Sequence, residues 1–177
     1  MTAGMSIVTK TGDKGKTDLF GGRQVSKDDL RIEVLGDLDE LCSFLGLAKS
    51  LVKNKQAKVI IENIQRDLFI MGSEVATEAR HIGKLKCRIC QAHILGLEKR
   101  IEQMERGMNL WQPGFCLPGK NTPAAITDIA RTIARRVERR IVTFSRRKSF
   151  KNADVLIYLN RLSDLLFILA RRLENYR

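Results

Sequence analysis

The chain has 177 residues and 20.1 kDa, with 44% apolar and 29% charged residues, which supports one packed domain and excludes a disordered polymer or a large multidomain machine. With 32 Lys and Arg against 20 Asp and Glu the formal charge is +12, which favours anionic partners: polyphosphate, nucleic acid or an anionic membrane surface. No apolar stretch accompanies Lys10, Asp13, Lys14 and Lys16, and the longest purely apolar run, Leu165 to Ala170, is too short to span a bilayer, so the expectation is a cytoplasmic protein with no membrane partner.

In chain order, residues 1 to about 25 show no sustained apolar period but carry Gly4, Gly12, Gly15, Gly21 and Gly22, the pattern of a loop with special backbone geometry. The pattern then turns helical. Leu38, Leu41, Cys42, Leu45, Ala48 and Val52 recur at three and four residues, as do Ile60, Ile64, Leu68, Met71 and Val75. A weaker third helix runs through Ile94, Leu97, Ile101 and Met104, and Gly107, Pro113, Gly114, Pro118 and Gly119 break the chain after it. Thr122 and Pro123 read as the N-cap and first residue of a fourth helix on Ile126, Ile129, Ile133, Val137 and Ile141. The fifth helix is clearest, on Val155, Leu159, Leu162, Leu166, Leu169 and Leu173. No run of period-two alternation stands out. The expectation is an all-α five-helix bundle over residues 26–177 with a glycine-rich N-terminal loop over 1–25, together one domain.

Several residue groups have the chemistry for a site. The loop Thr9-Lys10-Thr11-Gly12-Asp13-Lys14-Gly15-Lys16-Thr17 offers backbone amides, hydroxyls and ammonium groups suited to phosphate oxygens. Its tail mimics a Walker A ending, but Lys10 stands where that motif has its first glycine, and no strand leads in. On the fourth helix Asp128, Arg131, Arg135, Glu138 and Arg139 share a face, and nine basic residues stand against Glu138 alone between Arg131 and Lys151. That excess favours an anion site or subunit contact over a merely solvated face. Asn160, Asp164, Phe167 and Arg171 line the polar side of the fifth helix, where an amide can read a base or sugar, although a solvated face looks the same. His81, Cys87, Cys90 and His93 contain a zinc half-motif, C-x-x-C, but the histidine spacings match no common finger, so incidental thiols are the favoured reading.

The motifs TKTGDKGKTDLFGG (residues 9 to 22), KDDLRIEVLGDLDELCSFLG (27 to 46), FCLPG (115 to 119), ARTIARRVERR (130 to 140) and YLNRLSDLLFILAR (158 to 171) resemble those of the PduO-type ATP:cob(I)alamin adenosyltransferases, in order and spacing across the chain. The resemblance implies a homotrimer of five-helix bundles with ATP and the corrinoid bound between subunits. Cobalt(I) of cobalamin would attack the ribose 5′ carbon of ATP, giving adenosylcobalamin and triphosphate. The nucleophile belongs to the substrate, so the protein supplies binding, orientation and electrostatics, with Mg²⁺ and cationic groups on the leaving triphosphate.

Carried over residue by residue, the resemblance assigns Thr9, Lys10, Gly12, Asp13, Gly15, Thr17 and Lys27 to ATP binding, with Arg131, Arg135, Glu138 and Asn160 on ATP and catalytic positions. It makes Asp39 the partner of Arg131 across the subunit boundary, and Phe115 the aromatic that presses on the corrinoid and displaces its lower axial ligand. Two positions depart from the family pattern: Asp128 replaces a usual histidine, and Lys120 replaces the second glycine of PGG. A cobalamin reductase and an adenosylcobalamin-dependent enzyme are the implied protein partners. Two competing readings are a basic helical nucleic-acid-binding module on Arg135 to Lys151, which few aromatics (6%) and the lack of a known motif disfavour, and an ATP sensor without chemistry.

Overall fold

The computed structural model describes residues 8, 10–106, 116–148 and 150–175. Four helices start on an Asp or Asn whose side-chain oxygen accepts a first-turn N–H, which is why each begins where it does. Asp29 accepts from Arg31 N at 2.9 Å and opens α1 (Leu30–Leu51), and Asn54 accepts from Ala57 N at 2.9 Å and opens α2 (Lys55–Ala76). A short 3-10 helix (Ala79–Lys84) leads to α3 (Gln91–Glu105), whose N-cap is Cys90. Asn121 accepts from Ala124 N at 3.0 Å ahead of α4 (Thr122–Lys148), and Asn152 accepts from Asp154 N ahead of α5 (Ala153–Glu174). The fourth cap is thus Asn121 and not Thr122. The Asn121 carbonyl already accepts from Ala125 N, which puts Thr122 and Pro123 inside the first turn, where proline has no bond to lose.

The expected five-helix bundle is present. Across it the helices pack in the order α2, α1, α4, α5, α3. Leu41 and Leu45 of α1, Ile61, Ile64 and Met71 of α2, Val137 and Ile141 of α4, and Leu159, Leu162 and Leu166 of α5 are sealed from solvent. Helix α4 touches both α1 and α5, and it buries Ala130 and Ala134 where these backbones come close. Ile129, expected in the core, is 43% exposed because the small residues hold the inward face instead.

The N-terminal loop holds a hairpin that the sequence does not signal. Strands β1 (Lys16–Asp18) and β2 (Gln24–Ser26) pair antiparallel, with Thr17 opposite Val25. Three residues are too few to display a period of two. The hairpin is pinned to the end of α2: Phe20 N donates to Ala76 O at 3.2 Å, and Arg23 pairs with Glu78 at 2.7 Å. Gly21 has φ +107° and lies so close to His81 that a Cβ would sit 2.4 Å from Nδ1, so no side chain fits between them.

Candidate active site

Within the loop, successive turns fold the chain back on itself. Gly15, at φ +72°, donates to Gly12 O at 3.2 Å, and Lys27 N donates to Gly15 O at 2.9 Å. Lys10 also adopts the left-handed region, with φ +56°. The Lys27 ammonium comes to rest over Gly12, where a Cβ would stand 3.0 Å from Nζ. Lys10, Asp13, Lys16 and Lys27 are exposed along this loop and Thr17 is half-buried, so the loop presents cations of the kind that suit phosphate. Thr9 lies outside the described residues.

A groove of about 350 Å³ opens between the hairpin's turn at Phe20, α1 and α2. Its walls include Phe20, Leu35, Leu68 and Phe69, and Asp39 stands at its edge, exposed. Cys42 also faces it; burial pushes this thiol above its ordinary range, partly offset by the hydrogen bond from the Gln65 amide.

The arginines of α4 divide between two directions. Arg136 pairs with Asp37 at 3.1 Å and with Glu40, and Arg140 pairs with Glu33 at 3.1 Å, all on α1. These ion pairs weaken the nucleic-acid reading, because two cations of its proposed surface already have carboxylates. Arg131 and Arg135 instead line a groove of about 330 Å³ toward α5, with Glu105, Ser163, Asp164 and Phe167. Asn160 of α5 donates to Glu138 of α4 at 3.4 Å just along the same seam.

Behind this second groove lies a charge cluster that the sequence reading missed. Asp128 is buried and accepts from Arg131 Nε at 3.1 Å and from Arg171 Nη2, and Arg171 pairs with Glu174 at 2.8 Å. Arg171, expected on an open polar face, is therefore 6% exposed, and its guanidinium also sits 5.3 Å from the centre of the Phe167 ring. The only sequence signal was Asp128 itself, an acid in a run of arginines. Its bond to Nε leaves the two Nη groups of Arg131 to face the groove.

Lys120 donates to Asn175 at 3.2 Å, directly after Gly119 at φ +106°. Phe115, expected against the corrinoid, lies outside the described residues. Among the described residues, no group of three His, Cys, Asp or Glu side chains is arranged to hold a metal ion. No helix among them is long and apolar enough to cross a membrane.

The predicted site residues thus fall into two sets within one chain. Lys10, Gly12, Asp13, Gly15, Thr17, Lys27 and Asp39 belong to the loop and the α1/α2 side, whereas Arg131, Arg135, Glu138 and Asn160 belong to the α4/α5 seam. The two grooves share no lining residue: one lies beside Asp39, the other brings two guanidinium groups beside the partly exposed Phe167 ring.

A family model described as "Cobalamin adenosyltransferase" matches residues 7–173. A corrinoid adenosyltransferase of Citrobacter freundii is 38% identical over 169 residues, covering 93% of each chain. A corrinoid adenosyltransferase PduO of the same organism is 41% identical, and the chain spans about half, 49%, of its length. Among solved structures, a variant PduO-type ATP:corrinoid adenosyltransferase from Lactobacillus reuteri complexed with cobalamin and ATP superposes with a TM-score of 0.85 at 37% identity, covering 94% of this chain and 92% of that one. A second variant of that enzyme, complexed with ATP, gives a TM-score of 0.84 at 38% identity, with coverage of 94% and 93%.

Proposed function

The chain belongs to the cobalamin adenosyltransferase family, and from that premise we infer that it transfers the 5′-deoxyadenosyl group of ATP to cob(I)alamin, releasing triphosphate. The observation that carries the assignment to residues is the α4/α5 seam, where Arg131 and Arg135 meet an exposed phenylalanine without any nucleophile-base pair. The substrate brings the nucleophile: cobalt(I) forms the Co–C bond as the C5′–O bond breaks, and the electron pair departs with the triphosphate. What remains for the protein is to hold both substrates in line and to stabilise the charge that grows on the leaving oxygens.

In this reading Thr9, Lys10, Gly12, Asp13, Gly15, Thr17 and Lys27 wrap the triphosphate, and Arg131 and Arg135 face the oxygens nearest the breaking bond. Glu138 and Asn160 hold the nucleoside end, and Phe115 presses on the corrinoid. Mg²⁺ carried by a triphosphate needs only one or two protein carboxylates, and Asp13 of the loop would supply one; it would neutralise charge on the leaving group. Cytoplasmic residence, and a reductase and an adenosylcobalamin-dependent enzyme as partners, belong to the same proposal. Purified protein given ATP, Mg²⁺ and reduced cobalamin is expected to form a light-sensitive product, with one triphosphate released per Co–C bond. An unchanged corrin spectrum under strict reduction would refute the activity, and triphosphate-free ATP binding would support the sensor reading.

Because the two sets line separate grooves of one chain, the proposed homotrimer would complete each site between neighbours, with Asp39 of one protomer against Arg131 of the next. Heterologous contacts of this kind close into rings. Asp39→Ala and Arg131→Ala proteins, each inactive alone, are then expected to regain about one quarter of wild-type activity when co-assembled at equal ratio, since a random neighbour pair has both intact residues in about one case in four. Zero recovery in verified mixed oligomers would place both residues in one subunit's own site.

A further inference from the structure

A second chemical cluster lies outside that site, where the N-terminus of α3 meets α2 and α5. We propose that Cys90 is a reactive thiol that exchanges with low-molecular-weight disulfides, using His93 as its base. Cys90 is exposed, and its Sγ lies 3.2 Å from His93 Nδ1. The backbone fixes the tautomer. Cys90 N donates to the same Nδ1 at 3.2 Å, so Nδ1 carries the lone pair and Nε2 carries the proton.

Nε2 points toward Asp67 Oδ1, 3.9 Å away on α2, and Asp67 is in turn held by the Tyr158 hydroxyl of α5, which donates to Oδ2 at 2.8 Å. Burial, and then Asp67, push the Tyr158 phenol well above its ordinary range, so it stays a donor. Nucleophile and base are in contact, with the Asp67 carboxylate beyond hydrogen-bond distance but close enough to favour positive charge on the ring. Cys90 is also the N-cap of α3 and forms a reciprocal capping box with His93, which places the sulfur at the positive end of a 15-residue helix.

The exchange balances without any other reactant. The S–H proton passes to His93 Nδ1, whose lone pair gives up the Cys90 N–H to take it, as Sγ attacks one sulfur of R–S–S–R. The S–S bond breaks with its electron pair on the departing sulfur, which takes the proton from His93 and leaves as R–SH. Cys90 is oxidised to a mixed disulfide, and half of the reagent is reduced to thiol.

The other thiols serve as internal comparisons. Cys87 and Cys116 are equally exposed, but their sulfurs face the carbonyl oxygens of Arg88 and Leu117 at 3.9 Å, which take no proton. Cys42 is half-buried. With dithiobis-nitrobenzoate as the probe and folded protein in excess, one thiol per chain is expected to react at least about tenfold faster than the rest, with peptide mapping locating it at Cys90. Cys90→Ser is expected to remove the fast phase, and His93→Gln to slow it about tenfold or more with the circular dichroism spectrum unchanged. Fast labelling at Cys87 or Cys116, or a folded His93→Gln protein with an unchanged fast phase, overturns the proposal. Mapping in the unmutated protein decides the site even if a variant fails to fold.

Discussion

Arg131→Ala is expected to lower kcat for adenosyl transfer by roughly 10²- to 10³-fold, with a smaller change in KM for ATP. The reason is where its charge is needed. A guanidinium that faces the leaving oxygens gains most from the transition state, when the triphosphate takes up the electron pair of the breaking bond, so its loss appears in turnover. The geometry sharpens the prediction. Arg131 spends Nε on buried Asp128 at 3.1 Å, which fixes the plane of the guanidinium and leaves its Nη groups to point into the α4/α5 groove. Arg131→Lys keeps the charge but cannot reproduce that planar division of donors, so it is expected to recover only part of the loss. Stopped-flow turnover with cob(I)alamin under anaerobic conditions measures both variants; a kcat within twofold of wild type for Arg131→Ala would remove the residue from the catalytic set.

The largest structural effect is expected at Glu74. It is completely buried, yet it accepts three hydrogen bonds from two other segments: Ile89 N at 2.5 Å, Arg88 Nε at 3.1 Å and Asn152 Nδ2 at 2.8 Å. Asn152 is also the N-cap of α5, so one carboxylate ties α2, the segment entering α3 and the start of α5. Glu74→Ala leaves the Ile89 N–H without an acceptor in a dry site, strips Arg88 of its carboxylate and takes one of the two acceptors of the Asn152 amide, and is expected to cost about 3 to 5 kcal/mol. For a chain of this size that corresponds to a fall in Tm on the order of 10 °C, readable by calorimetry. A fall of less than about 2 °C would show that the node is dispensable.

The helices were legible because the bundle buries one stripe of each, and Leu159, Leu162 and Leu166 announce theirs at the right spacing. The α4 stripe was blurred because α4 faces two neighbours and does so with Ala130 and Ala134, which carry little weight in a hydrophobic pattern. Asn121 as a cap was hidden by the attractive Thr122-Pro123 pair beside it. The ion pairs of Arg136 and Arg140 depend on which helix packs against α4, and spacing along one helix contains no such information. Of the site, the loop's chemistry could be read from its glycines, lysines and threonines. The placement of Asp39 at an α1/α2 groove and of Arg131 at an α4/α5 groove could not, because it arises from the order in which the helices pack. The Asp128, Arg171 and Glu174 cluster was invisible for a related reason: an arginine near the end of an amphipathic helix reads as solvated until its buried partner on another helix is known.

The bond between Arg136 and Asp37 joins residues 99 positions apart in the chain. A ribosome working at about 5 to 20 residues per second makes the acids of α1 some 5 to 20 seconds before the arginines that neutralise them. During that interval the nascent α1/α2 pair displays an uncovered greasy flank crowned by negative charge.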